Sequence, residues 1–316
     1  MRVTSARTAR WPARALATLL ALGAGSGPLA AYESDQYTNR GLAIADAQPV
    51  LDREVDRALA EIAAGWRGPE DRWRFARRVY WRLGGLYWVD HLERWAIASP
   101  EVERLPQYRQ RSIFADAPLY ASRVNWFFGV GATFRLAGSL VGSDKLGHFF
   151  SQGIKYYGSH LLGREEQRVL GRGRFNERWL FGQLTTSVYS NADLVANFEG
   201  YRFYRSLFEA EVVPGKGPLV AFRDGGAEIL RPFAWSDHVN DFWDEAAYPS
   251  HLSPGLERYL MRTLPGLCPE FERDPFAFLP RQEAELAARY RNLGLKPAPE
   301  LRMDHVCAGS AGAAGG

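Results

Sequence analysis

The segment GSDKLGHFFSQGIKYYG, residues 142–158, places several reactive side chains on one short predicted helix. Asp144, His148, Ser151 and Lys155 recur at helical spacing. At about 100° per residue they fall within roughly 60° of one another around the helix axis. Leucine, isoleucine and aromatic side chains occupy the opposite side. The stripe therefore predicts either a solvated helix face or one wall of a polar site.

A second polar stripe lies on a helix predicted over residues 176–208. The side chains on nearly all other sides of this helix are apolar. A helix that is apolar on most sides is expected to be buried. A buried polar group without a partner costs about 1–3 kcal/mol, and an unpaired charge costs more. We therefore expect the two helices to pack antiparallel and to share a polar seam. The predicted seam consists of Asp144, Lys145, His148, Asp193 and Asn197.

These five residue types support three interpretations of the seam. In the first, Asp144 and His148 at positions i and i+4 bind one divalent metal ion together with Asp193, which suits the polarisation of a phosphoryl or acyl group. In the second, His148 is a general base oriented by a carboxylate, and Lys145 stabilises negative charge on a substrate. In the third, the five residues, Asn197 among them, form a structural hydrogen-bond network that fixes the register of the two helices.

A third group of ligand-type side chains lies in WSDHVNDFWDEAAYPSH, residues 235–251. His238, Asp241 and Glu245 share one face of a predicted short helix, and His251 follows it. This spacing matches no recognised metal signature, and acids beside aromatic residues on a short helix usually form a solvated edge. We therefore expect His238 and Asp241 to be outer members of the site at most.

The segment SDKLGHFFSQG resembles the Asp-Lys-x-x-His-Phe segment of small bacterial periplasmic lipoproteins of unknown function. It resembles more loosely the matching segment of VanZ-like membrane proteins. The matching positions are Asp144, Lys145, His148 and Phe149, followed by a weaker match at Asn197 and Gly200. This chain differs from the lipoproteins in lacking a lipidated cysteine. It differs from VanZ-like proteins in lacking clear membrane-spanning segments. The resemblance implies a helical site in the cell envelope and no particular reaction.

The first 31 residues predict a secretory signal peptide, with four arginines, an apolar run and small residues ending at Ala30-Ala31. Because this segment holds four arginines and no acid, its removal lowers the formal net charge from +3 to −1. That charge argues against nucleic acid as a partner. We expect an exported protein, periplasmic or associated with the outer envelope, in which Cys268 and Cys307 form a disulfide.

Hydrophobic periodicity predicts a mainly α fold, a helical domain around two central antiparallel helices, with one small β-hairpin in the C-terminal third. The hairpin turn is placed at Asp224-Gly225-Gly226. Helices are predicted over residues 51–64, 70–83, 86–97, 144–162, 176–208, 236–247, 256–264 and 281–292, with residues 125–142 as a buried or re-entrant helical piece. The predicted organisation is a signal peptide at 1–31, the site-bearing helical domain at 32–208, C-terminal elements packed on it at 209–307, and a disordered tail at 308–316.

Aromatic and arginine side chains are interleaved over residues 66–95. Aromatic stripes at helical spacing indicate core packing, whereas the same residues mixed with arginines also suit a membrane surface.

Two functional hypotheses follow. The first is an exported envelope protein with a polar inter-helix site, a candidate hydrolase of an envelope lipid, glycan or peptide that can use a divalent metal ion. The second is a non-enzymatic envelope factor that binds the membrane surface or a protein partner, with a purely structural seam.

Overall fold

The computed structural model describes residues 34–85, 89–117, 130–164 and 188–313. The described residues all belong to one compact unit. The predicted signal peptide lies outside the described residues. The α-helices are α1 (Gln48–Ala64), α2 (Arg72–Leu83), α3 (His91–Ala98), α4 (Asp144–Gly147, His148–Gln152 and Gly153–Leu161 in succession), α5 (Asn191–Ser206), α6 (Pro254–Thr263), α7 (Cys268–Arg273), α8 (Glu283–Tyr290) and α9 (Met303–Ala313). The strands are β1 (Thr133–Leu136), β2 (Ser139–Gly142), β3 (Val188–Tyr189), β4 (Val220–Arg223), β5 (Gly226–Ile229) and β6 (His251–Leu252).

The predicted mainly α fold is confirmed, and the sheets within the described residues are three small antiparallel pairs, β1–β2, β3–β6 and β4–β5. The amphipathic helices α1 and α2 lie where periodicity places them, and each buries one apolar face. Asp71 caps α2 by accepting a hydrogen bond from the backbone N–H of Arg74. None of the helices in the described ranges has the length and apolar composition that a membrane span requires.

The hairpin predicted near residue 224 is confirmed as β4–β5, with Asp224 and Gly225 at positive φ values of 50° and 73°. Positive φ at both turn residues is the geometry that joins twisted strands through two residues. A second hairpin, β1–β2, replaces the helical piece predicted over residues 125–142, so that prediction is wrong for residues 133–142. Strand β1 alternates polar and apolar residues over only four positions and β2 does not alternate strictly, so neither run is long enough to distinguish a strand from a helix.

The two central helices, α4 and α5, run parallel rather than antiparallel, because their contacts pair residue numbers that rise together. Near the start of each helix, Lys145 binds Asp193. Near the end of each helix, the ring of Tyr157 stacks on that of Tyr204. Of the helix predicted over residues 176–208, the part at 176–187 lies outside the described residues, and Asn191–Ser206 is helical after strand β3. This arrangement brings both helix N-termini to the same end of the pair.

Glycines allow α4 and α5 to approach backbone to backbone. A Cβ atom on Gly200 would lie 1.9 Å from the carbonyl oxygen of Phe149, and one on Gly153 would lie 2.5 Å from the carbonyl carbon of Gly200. At this contact α4 widens into a π-helical turn over His148–Gln152. The hydroxyl of Tyr204 donates to the carbonyl of Phe150 in this turn at 3.1 Å. π-Helical turns occur frequently at functional sites.

The core consists of two clusters of buried apolar side chains. The larger includes residues on both sides of position 208, so the C-terminal elements share it with α1, α2, α4 and α5. The smaller surrounds α6, α7 and α9. The predicted disulfide Cys268–Cys307 is present and joins α7 to α9.

Two predictions in the C-terminal part are wrong. Residues 236–247 form short 3₁₀ turns, Trp235–Asp237 and Asp241–Trp243, instead of one helix. Asn240 accepts from the N–H of Phe242, and such local side-chain bonds compete with helix formation. Helix α9 extends to Ala313 through the segment predicted to be disordered, because alanine favours helix and Cys307 holds the helix in place.

Gly200→Ala is expected to destabilise the protein by about 3 kcal/mol or to prevent folding, because the new methyl group overlaps the Phe149 carbonyl. The measurement is urea unfolding followed by circular dichroism. Gly217→Ala is the matched control, since a Cβ there meets nothing within 4 Å. We expect Gly217→Ala to lower the free energy of unfolding by less than about 0.5 kcal/mol. Equal stability of the two variants would contradict the backbone contact.

Replacing both Cys268 and Cys307 with serine is expected to lower the unfolding free energy by about 2–5 kcal/mol, because the bond restricts the unfolded chain. Unfolding of the oxidised wild type and the double variant in urea measures this difference. Adding a reductant should destabilise the wild type and leave the double variant unchanged. A wild type insensitive to reductant would show that the bond contributes nothing.

Candidate functional site

The site lies where helices α4 and α5 begin. Ser190 caps α5 by accepting a hydrogen bond from the N–H of Asp193 at 3.0 Å. Asp144 and Asp193 both lie in the first turn of their helices. The positive end of a helix dipole stabilises a carboxylate at this position. The parallel packing therefore places two carboxylates, each favoured by its own helix, beside each other.

The side chain of Lys145 is fully buried between three carboxylates. Its Nζ atom lies 2.7 Å from Asp144 Oδ2, 2.6 Å from Asp193 Oδ1 and 3.0 Å from Glu245 Oε1. The ammonium has three N–H donors, and one of them is hydrogen-bonded to Asp144. When the three acids are ionised, three negative charges face one positive charge, so the cluster is net negative.

The imidazole of His148 lies at the edge of this cluster, with 22% of its side chain exposed. Its Nδ1 atom lies 3.1 Å from Asn197 Oδ1, and its Nε2 atom lies 3.3 Å from Asp193 Oδ2. When Nδ1 donates its proton to the amide oxygen, the neutral ring presents a lone pair at Nε2. That lone pair faces the carboxylate, so a cation between the two atoms stabilises the arrangement.

Three side chains of the site offer ligand atoms at metal-binding spacing. One ligand atom from each of Asp144, His148 and Asp193 lies within 4.8 Å of the other two. Carboxylate oxygens and an imidazole nitrogen are ligands for divalent ions of the first transition row. Asn197 supplies the hydrogen bond to the second ring nitrogen that metal-bound histidines usually have. The residues therefore fit a divalent cation.

Neighbouring hydroxyl groups orient the carboxylates. Ser34 Oγ donates to Asp144 Oδ1 at 3.2 Å, and Ser190 Oγ donates to Glu245 Oε1 at 2.7 Å. Ser34 approaches Asp144 closely because residue 142 is a glycine, where a Cβ atom would lie 1.8 Å from Ser34 Oγ. The chain near Ser34 thus forms one side of the site.

A second pair of acids lies on the other side of α4, against Gly147. A Cβ atom on Gly147 would lie 3.1 Å from Glu93 Oε2 and 3.7 Å from Asp90 Oδ2. Both acids are buried. The hydroxyl of Ser151 donates to Asp90 Oδ2 at 2.5 Å, and that of Ser143 donates to Glu93 Oε1 at 3.4 Å. Burial favours the protonated form of both acids, and for Asp90 this effect outweighs the opposing charges of His148, Lys155 and Arg94.

The pKa shifts separate these acids into two groups. Burial acts to raise the pKa of Asp193, but His148 and Lys145 lower it below its ordinary value. Burial raises the pKa of Glu245 despite the charge of Lys145. Burial also raises the pKa of Asp90 to about 7. The pKa of Glu93 is raised well above its ordinary value by burial, followed by the charges of Asp144 and Asp90. The interactions with His148 and Lys145 thus favour the ionised form of Asp193, whereas burial favours the protonated form of Glu93.

A small cavity adjoins the carboxylates. Ser34 and Glu245 line its polar side, and the other walls are largely apolar, with Tyr37, Phe114 and Val188 among them. Its volume of about 30 Å³ holds one or two water molecules. The cavity can hold water beside the cluster, but it is too small for an acyl chain or a sugar. Of the side chains in the ion-pair cluster, that of His148 is the most exposed.

The structure brings together all five residues of the predicted seam, and their chemical roles remain predictions. His238 and Asp241 lie outside this group. His238 binds the buried carboxylate of Glu199 at 3.1 Å, and Asp241 binds Arg281 at 2.6 Å. The remaining members of the site, Glu245, Asp90, Glu93 and Ser34, were not predicted. Glu245 was recognised only as a ligand type, and the others belong to segments distant in sequence.

A comparison of the chain with models of protein families, with curated proteins and with solved structures finds no match. The geometry described above therefore carries the functional argument.

Asp90→Asn is expected to stabilise the protein at pH 8 and to leave its stability unchanged near pH 4. A carboxyl whose folded pKa is raised stabilises the fold below its unfolded pKa, and this contribution is lost as pH rises through the folded pKa of about 7. The loss has an upper bound of about 4 kcal/mol. Urea unfolding of both proteins across this pH range measures the difference.

Asp224→Asn is the matched control, because Asp224 is exposed in a turn that also accepts asparagine. Its pH dependence should follow that of the wild type. If the stability of Asp90→Asn changes with pH as that of the wild type does, the folded pKa of Asp90 is not raised.

Proposed function

We propose that this protein is an exported envelope protein that binds one divalent metal ion through Asp144, His148 and Asp193 and uses it to hydrolyse an envelope component. The observation that carries the proposal is the convergence of these three ligand atoms within 4.8 Å in a net negative cluster. A bound divalent ion lowers the pKa of a coordinated water and polarises a carbonyl or phosphoryl oxygen.

The hydrogen bonds of His148 favour metal binding over a general-base role. A general base needs a ring nitrogen directed at its substrate. Here Nδ1 lies against Asn197 and Nε2 lies against Asp193. A metal ion bound by both Nε2 and Asp193 uses this geometry, because Asn197 then keeps the proton on Nδ1.

In this proposal Lys145 positions the metal-binding carboxylates and does not contact the substrate. Its ammonium is fully buried and binds one oxygen each of Asp144 and Asp193. Lys145 thereby fixes the orientation of both carboxylates. The second oxygen of Asp193 lies on the His148 side.

Export is supported by the disulfide, which fits a non-reducing compartment. The N-terminal segment has the composition of a signal peptide. A periplasmic or outer-envelope location follows from these two features, and the substrate is then an envelope lipid, glycan or peptide. The cavity beside Glu245 can store water near the metal ligands.

Titration of the metal-free mature protein with Zn²⁺ in a calorimeter is expected to show one ion per chain and a raised melting temperature. Asn197→Ala should weaken binding by about 10–100-fold, because it removes the hydrogen bond that orients the ligand. His148→Ala should weaken it further, because it removes a ligand. A panel of chromogenic esters, phosphodiesters and glycosides, tested with the loaded protein, then identifies the bond that is cleaved.

His305→Ala is the matched control, because His305 is exposed on α9 and belongs to no metal cluster of the described residues. It should bind Zn²⁺ like the wild type. Equal affinity in the His148 and His305 variants would reject the metal site. A folded wild type that binds no ion, combined with unfolding of His148→Ala, would favour a structural network instead.

A further inference from the structure

The outward face of α2 exposes two tryptophans. The exposed fractions of Trp73 and Trp81 are 40% and 45%, and the exposed side chain of Arg77 lies between them in sequence. Residues at a spacing of four lie along one side of a helix, here within roughly 80°. The opposite side of α2 enters the core. The three residues therefore form a solvent-facing stripe rather than the core packing that aromatic spacing suggests.

Four of the five arginines of α2 already have partners. Two guanidinium groups lie over the ring of the buried Trp66 and two pair with glutamates. These are Arg74 and Arg78 over Trp66, Arg72 with Glu70, and Arg82 with Glu61. Arg77 pairs with no acid in the described part of the chain. Its charge is available to an external anion.

The stripe continues onto the end of α4. The ring of Trp73 packs against Gly158, where a Cβ atom would lie 3.1 Å from Trp73 Cη2. One turn further along, Leu162 has 75% of its surface exposed. One turn earlier, the exposed Lys155 hydrogen-bonds the neutral side chain of Gln152, and its charge also interacts with the buried Asp90. We call Trp73, Arg77, Trp81, Lys155 and Leu162 the α2–α4 outer surface.

We propose that the α2–α4 outer surface binds the surface of an anionic bilayer. Tryptophan and leucine side chains suit the boundary between headgroups and acyl chains, where part of the ring is apolar and part is hydrated. Arg77 and Lys155 supply positive charge for lipid phosphates. Scattered exposed apolar residues are normal on any protein, but here they adjoin Arg77, which pairs with no acid in the described contacts, and the exposed Lys155.

This inference goes beyond the proposed function and does not depend on the metal ion. It has one consequence for the proposed site, because α4 carries both His148 and Lys155. A protein held by this surface would keep His148 close to lipid headgroups. The small cavity beside Glu245 takes no part in the interaction, since it is too small for an acyl chain.

The test is sedimentation of the mature protein with vesicles of phosphatidylethanolamine and phosphatidylglycerol at low salt. The wild type should bind, and added salt should release it, because ions screen exposed charges. The variant carrying Arg77→Glu and Trp81→Ala should bind at least about tenfold more weakly, because a charge near an anionic surface contributes about 1 kcal/mol. Vesicles of phosphatidylcholine alone should retain little protein.

The matched control carries Arg258→Glu and Phe276→Ala, which change an exposed arginine and an 85% exposed aromatic residue outside this surface. This control and His148→Ala should bind like the wild type, and circular dichroism should show that all variants are folded. The proposal is wrong if the wild type does not bind at low salt, or if the control loses as much affinity as the surface variant. Loss of binding in His148→Ala would place the headgroup in the metal site instead.

Discussion

The buried ammonium of Lys145 is the interaction on which the structure of the site depends. A charged group without solvent contact requires opposing charge close by, and removing one partner of such a pair costs about 3–5 kcal/mol. The three carboxylates belong to α4, α5 and the segment before β6. Lys145 therefore ties together three segments that are distant in the sequence. The same contacts set the orientation of Asp144 and Asp193, so stability and the geometry of the proposed metal site share one cause.

The close contact of α4 and α5 makes this arrangement possible. Gly153 and Gly200 let the two backbones touch, and the π-helical turn that begins at His148 lies at this contact. Because the helices are parallel, their N-terminal dipoles both act on the carboxylate cluster. An antiparallel pair would place one negative helix end there and would disfavour the acids. The direction of the helices and the charge of the cluster are thus consistent with each other.

The acids around α4 have opposite pKa shifts. His148 and Lys145 lower the pKa of Asp193 against its burial, whereas burial raises the pKa of Asp90 and Glu93 beside Gly147. The proposed membrane surface lies farther along α4. One helix would then connect membrane attachment with the site.

The sequence by itself determined the mainly α class, the hairpin at residue 224, the Cys268–Cys307 bond and the five residues of the seam. Local periodicity, turn residues and the need to pair buried polar groups carry this information. Only the tertiary structure decided the parallel direction of α4 and α5, the β1–β2 hairpin, and the presence of Glu245, Asp90 and Glu93 at the site. These features depend on contacts between residues far apart in the chain, which no local pattern records.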